Sequence, residues 1–217
     1  ENSEAGKFLG QLCAKDGSGN FKYARKLIQF LKYYGIDGIG INPEGYWSST
    51  LNENFSSFLA ECHKVAKEEN WPFHVDWYAF VSNSGGLSDN GCSLGIGEND
   101  KWFQKNGEPV TDVFFLNYNW GESQLIKSAE AAKSLGRSTF DVYAGFDQQG
   151  RGYGLKWSAL MRQPVSVVVW GAHDRSQLYA SSTEGGTSDL AIQKEYQTKQ
   201  ELLFTGGTRN VLNTPPV

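Results

Sequence analysis

Five short apolar runs recur along this chain, and segments of helical spacing stand between them. The runs are 35–42 (GIDGIGIN), 73–80 (FHVDWYAF), 113–120 (VFFLNYNW), 141–147 (DVYAGFD) and 165–171 (VSVVVWG). Ahead of the first, segment 21–34 sets Phe21, Ala24, Leu27, Ile28, Leu31 and Tyr34 three and four residues apart, an amphipathic stripe that Gly35 stops. Segment 51–69 repeats the stripe through Phe55, Phe58, Leu59, Cys62, Val65 and Ala66, and 122–135 forms a third, stopped by Gly136. A short helix is expected at 156–161 and a last one at 189–204. A Gly/Ser/Asn-rich loop fills 82–100. Apolar strands alternating with helices predict an α/β fold whose parallel sheet is covered on both faces.

Two architectures satisfy that pattern. Asn42 and Glu44, Trp77 and Tyr78, Asn117 to Trp120, Asp147 and Trp170 fall at the ends of the runs. A (β/α)8 barrel places its chemistry there. Closure needs eight strands and only five are read, so an open, doubly wound sheet is the alternative. No G-x-G-x-x-G loop follows any strand, which counts against a nucleotide-binding version of it.

Composition narrows the function. The 217 residues suffice for one sizeable core, and 39% apolar with 20% charged residues is an ordinary globular balance. A net charge of −4 without a basic stripe argues against nucleic acid or an anionic membrane as partner. No run nears the roughly 18 apolar residues of a membrane span. Cys13, Cys62 and Cys92 are odd in number and lack Cys-x-x-Cys spacing. That excludes a disulfide framework and disfavours a thiolate zinc site, leaving room for one bridge. His63, His74 and His173 show no metal-ligand spacing, and His63 is expected on a helix surface. Asn54-Phe-Ser56 is a glycosylation sequon within a helix, which disfavours its use. Aromatics reach 14%, alongside 25 glycines. Such a surplus suits either stacking on sugar rings or an aromatic core.

The sharpest local signal is Asn42-Pro43-Glu44 at the end of the first run. Residues two apart on an extended chain point to the same side, so the amide and the carboxyl face one cavity if that geometry survives Pro43. A carboxyl serves as general acid when its surroundings raise its pKa. The carboxamide does not titrate, and it orients a substrate amide. That pairing suits substrate-assisted glycoside hydrolysis, in which a 2-acetamido oxygen replaces the protein nucleophile. The alternative is a solvated, inert turn.

The segment from Asp37 to Glu44 resembles the Asp-x-x-Asp-x-Asp-x-Glu signature of the chitinase-like glycoside hydrolase family 18. Gly40 and Asn42 stand at its second and third Asp. Asn-x-Glu is closer to the related family 85, the endo-β-N-acetylglucosaminidases. KYYGIDGIGINPE, HVDWYAF, VFFLNYNW and DVYAGFDQQGRG resemble that family's blocks in the same order, over roughly residues 20 to 175. Pro43, and Ala79 where the family carries Asp after Trp-Tyr, depart from its pattern.

The resemblance implies a (β/α)8 TIM barrel of which this chain supplies about strands 4–8. Residues 1–204 would form its C-terminal portion, strands 1–3 would come from a preceding segment of the same protein, and 205–217 would lead to a downstream domain. It implies hydrolysis of the GlcNAc-β1,4-GlcNAc core of N-glycans, without metal or organic cofactor. Glu44 would be general acid and base, Asn42 would hold the acetamido group, and Tyr78 would touch the reacting sugar. Asn117, Asn119, Trp120, Asp147, Trp77, Trp47 and Trp170 would bind substrate, with Asn117 and Asn119 facing opposite to Tyr118. Tyr78 as a core residue, Asp147 as a cap or ion-pair partner, and Trp47 and Trp170 as packing residues are the competing readings. A glycoprotein partner and a secreted or cell-surface setting are expected. The competing functions are a non-catalytic carbohydrate-binding protein on a degenerate barrel and a family 18 chitinase-like hydrolase.

Overall fold

The computed structural model describes residues 4–45, 47–147, 157–160 and 162–171. The helix expected at 189–204, His173 and segment 205–217 lie outside them. Helix α1 (Glu4–Leu12) precedes α2 (Ala24–Tyr34), β1 (Gly38–Ile41), α3 (Ser49–Glu68) and β2 (His74–Tyr78). A two-stranded hairpin, β3 (Gln104–Lys105) and β4 (Glu108–Pro109), interrupts the path to β5 (Val113–Leu116). Then come α4 (Glu122–Ser134), β6 (Val142–Asp147), α5 (Trp157–Leu160) and β7 (Ser166–Trp170). Neither α1 nor the hairpin was anticipated from the sequence.

The main sheet is parallel, in the order β1-β2-β5-β6-β7. Strand order follows chain order without reversal, so the sheet has no switch point of the doubly wound kind. The register lines Gly40 up with Asp76, Asp76 with Val113, Tyr78 with Phe115, Phe115 with Tyr143, and Gly145 with Val168. Paired residues of a parallel sheet share a face, and alternation sends their neighbours to the other. Val75, Trp77, Phe114, Leu116, Val142 and Ala144 occupy that other face. All are fully buried in one cluster with Ile28, Phe58, Leu59, Leu125 and Ala132 of the helices.

Here the structure corrects the sequence reading. Among the described residues only one face of the sheet is covered by helices. On the opposite face His74 and Asp76 are exposed, and Tyr78, Val113, Phe115 and Tyr143 are half-buried. His63 is also corrected. It is half-buried against the Phe73 ring, and its Nε2 lies 3.2 Å from the Val110 carbonyl.

Helices α2 and α3 are tied at their ends. Arg25 donates to the carboxylates of Glu68 and Glu69, and Lys32 Nζ donates to the Glu69 carbonyl at 2.7 Å. Ser48 caps α3, its Oγ accepting from the Leu51 N–H at 3.1 Å. Cys13, Cys62 and Cys92 are buried free thiols, so the optional bridge is not formed. Burial pushes the Cys13 thiol up to about 12 and raises Cys62 as well, which leaves both unreactive as nucleophiles.

Candidate active site

The reacting pair expected from the sequence follows the first strand of the sheet. Strand β1 ends at Ile41, and the chain continues through Asn42, Pro43 and Glu44 before Trp47 and the α3 cap. Asn42 and Glu44 are exposed while Pro43 between them is buried. The period of two therefore persists past the strand, and the amide and carboxyl project together. Proline holds the preceding residue extended, so Pro43 supports this geometry. The last paired rung is Ile41 with Trp77. One residue further along each strand lie Asn42 and Tyr78.

Tyr78 stands in an aromatic wall on that face. Its ring lies 5.1 Å from Phe115, 6.1 Å from Tyr118 and 6.2 Å from Phe80, centroid to centroid. Phe80, Phe115 and Tyr118 were not among the expected site residues. Gly145 makes room for two of them: a Cβ there would come within 2.5 Å of Phe115 Cε2 and 3.1 Å of Tyr118 Cδ1. The signal for Phe115 was its period-two parity with Val113.

At the far edge, Asp147 and Trp170 are paired across β6 and β7. Asp147 is buried, and Trp170 is 50% exposed. Asp147 lies three strand positions from Asn42 and Trp170 four, about 14 and 19 Å along the sheet at ordinary spacing.

Three expected sugar contacts are corrected. Trp77 has the parity of Val75, faces the helices and is fully buried, stacked on Trp102 at 4.0 Å. Trp120 is 1% exposed and its indole N–H donates to the Gly145 carbonyl at 2.9 Å, so it packs the core. The expected parity of Asn117, Tyr118 and Asn119 fails because β5 ends at Leu116 and the chain turns. Asn117 is buried, with its backbone N–H donating to Gly91, while Asn119 is exposed and Tyr118 joins the wall. Trp47 is half-buried, with ring contacts to Phe55, Trp77 and Trp102 at 5.6, 6.0 and 5.7 Å.

A groove of about 630 Å³ runs along the edge of β1 that no described strand pairs. Leu9 and Leu12 of α1, Ile39 and Ile41 of β1, and Phe58 of α3 make its lining largely apolar, and Asn42 to Gly45 stand on its wall. Among the described residues no cluster of three or more His, Cys, Asp or Glu side chains is placed to hold a metal, and no helix is long and apolar enough to cross a membrane.

Comparison with known proteins places this arrangement. The chain matches the model of glycosyl hydrolase family 85 over residues 1–215. It is 32% identical over 158 residues to cytosolic endo-β-N-acetylglucosaminidase 2 of Arabidopsis thaliana, covering 68% of this chain and 21% of that protein. It is 28% identical over 152 residues to the human cytosolic endo-β-N-acetylglucosaminidase, covering 70% of this chain and 19% of that protein. The chain thus spans about a fifth of the length of these curated relatives. The crystal structure of the Endo-D glycoside hydrolase domain from Streptococcus pneumoniae R6 superposes with a TM-score of 0.74 at 25% identity, covering 94% of this chain and 32% of that one. Both curated relatives are named cytosolic, which overturns the expectation of a secreted or cell-surface setting. With the family match running nearly end to end, over a parallel sheet whose first strand leads into Asn42-x-Glu44, the chain belongs to glycosyl hydrolase family 85.

Proposed function

We propose that the protein carrying this chain is an endo-β-N-acetylglucosaminidase that cleaves the GlcNAc-β1,4-GlcNAc core of N-glycans with retention. The names of the relatives support the activity, and the exposure pattern of residues 42–44 carries the site. In the first step Asn42 accepts from the substrate's acetamido N–H and turns its carbonyl oxygen toward the anomeric carbon. That oxygen forms the new bond as the glycosidic C–O bond breaks, and the Glu44 carboxyl donates its proton to the departing oxygen. The product on the enzyme is an oxazolinium ion whose nitrogen keeps the proton held by Asn42. In the second step the Glu44 carboxylate removes a proton from water, the water oxygen bonds the anomeric carbon, and the oxazolinium ring opens to the neutral acetamide. Fixing the acetamide makes the attack intramolecular, a gain of several kcal/mol.

Tyr78 would border the reacting sugar, with Phe115 and Tyr118 extending the apolar surface beside it. Asp147 would accept a sugar hydroxyl, and Trp170 would offer a stacking face at the opposite edge. Asn119 remains a candidate for an outer subsite. Closure of the sheet into a (β/α)8 barrel is part of the same reading, residues 1–204 supplying about strands 4–8. Its support is the superposition on Endo-D and the apolar groove beside the edge of β1 that no described strand pairs, a slot suited to a preceding strand. A cytosolic setting fits the relatives' names and the three free thiols.

The test is hydrolysis of a high-mannose glycopeptide by the full-length protein, read by mass spectrometry. Peptide retaining one GlcNAc, with glycan released bearing the other, is the expected outcome. Glycan binding without release would replace the enzyme by a carbohydrate-binding protein.

A further inference from the structure

We infer that Gly85 is a positioning residue for Glu44, acting through the backbone of Trp47. This rests on the reading of Asn42 and Glu44 as the reacting pair. The segment between β1 and α3 is anchored at one end by the Ile41 rung and at the other by Trp47 and the Ser48 cap. The Trp47 anchor belongs to a different part of the chain. Its N–H donates to the Gly85 carbonyl at 2.9 Å, and its indole is packed against Phe55, Trp77 and Trp102.

Gly85 lies in a tight turn after β2. Ser82 N–H donates to Gly86 at 2.6 Å, and Gly85 N–H donates to Ser82 at 3.1 Å. The turn is bolted to the core: the Ser82 carbonyl accepts from Asn52 Nδ2 at 2.7 Å and from Trp102 Nε1 at 3.3 Å. Gly85 has φ +98°, and a Cβ there would lie 1.9 Å from the Trp47 carbonyl oxygen and 2.8 Å from its carbon. Both atoms are backbone, so no rotamer relieves the clash. Since the turn is held and the Glu44 segment is a short loop, the loop is the part that gives. A displacement of about 1 Å at a reacting group costs as much as roughly 100-fold in rate.

The experiment measures the full-length protein on a glycopeptide. Gly85→Ala lowers kcat by roughly 100-fold with KM within about twofold, and it moves the pH limb that reports Glu44, because the acid's surroundings change. Partial unfolding would scale the pH profile without moving that limb. Gly86→Ala is the control: its Cβ would meet only Ser82 Oγ at 3.9 Å, and kcat and KM should stay at wild-type values. Wild-type kcat in Gly85→Ala, or a loss confined to KM, overturns the inference. Should Gly85→Ala fail to fold, Ser82→Ala decides. It loosens the turn by removing the Oγ that pairs with Ser84 at 3.0 Å, and an unchanged kcat and pH limb there overturn the inference. Glu44→Gln, assayed alongside, separates the two readings. If that variant is active, the site assignment falls and takes Gly85 with it; if it is inactive while Gly85→Ala is normal, only the positioning role falls.

Discussion

The two faces of the parallel sheet are built from alternate residues of the same strands and have opposite characters. Toward the helices, Val75, Trp77, Phe114, Leu116, Val142 and Ala144 are sealed from water. Toward the open side, the same strands present Gly40, His74, Asp76, Tyr78, Phe115 and Trp170. A strand costs its backbone entropy once, whatever its side chains do. The helix face repays that cost by burying apolar area. The open face is thereby released from a packing role and can hold polar and aromatic groups that would be costly in a core. With the proposed site on the open face, stability and chemistry would be segregated by parity, and each variant below tests that segregation.

The largest expected effect is on chemistry alone. Glu44→Gln keeps the shape of an exposed side chain and removes its proton transfer. Turnover of glycopeptide by the full-length protein should fall by about 10²- to 10⁴-fold. The melting temperature should stay put, since no packing is lost. A drop in melting temperature of comparable weight would mean that Glu44 holds the fold together.

The next effect is on stability alone. Trp77→Ala empties a fully buried site stacked on Trp102 and should cost about 3–5 kcal/mol by chemical denaturation. Trp170→Ala, half-exposed on the other face, should change stability by no more than about 0.5 kcal/mol. Its expected effect is a raised KM for glycopeptide. Equal destabilisation by the two tryptophans would break the comparison.

That contrast also marks what the sequence could and could not yield. In FHVDWYAF the polar residues His74 and Asp76 share parity with Tyr78, and Val75 shares it with Trp77. The period of two was enough to send Trp77 to the core, but the affinity of tryptophan for sugars outweighed it. The shared exposure of Asn42 and Glu44 was legible because residues two apart on an extended chain face the same side. Asn117 and Asn119 were not, because VFFLNYNW reads as one strand while hydrogen bonding stops at Leu116. Where Asn117 pairs with Gly91 depends on a loop fold that local spacing does not encode. The five strands followed from alternation with helices, but their order did not, since a doubly wound sheet satisfies the same alternation. The bare face did not, since continuous apolar runs such as VSVVVW look the same whether one side or both are covered. Helix α1 had a signal, Phe8, Leu9 and Leu12, too short to stand out from the chain around it.

The subtlest difference between the faces is in how they treat charge. His63, on the covered side, has its pKa lowered chiefly by burial, with Arg137 and His74 adding to the effect and Asp112 and the Val110 carbonyl opposing it. The fold therefore resists a proton that the unfolded chain accepts at about pH 6.5. Stability should fall as pH drops from neutrality through 6.5, and His63→Phe should flatten that slope in denaturation midpoints measured between pH 7.5 and 5.5. Asp76, on the open side, has its pKa raised by partial burial and by Asp112, with His74 opposing. Its contribution is intact below the ordinary carboxylate value of about 4 and is lost as pH rises through the folded value. Asp76→Asn should therefore raise the melting temperature at pH 7, with the gain fading toward pH 3. The sign of that change in the full-length protein also tests closure of the sheet. Closing a barrel over this face would bury Asp76 further, and a buried carboxylate is tolerated only beside a donor or cation. If Asp76→Asn is destabilising at pH 7, such a partner reaches the carboxylate from outside the residues described; if it is stabilising, the face around Asp76 stays as open as the five strands leave it.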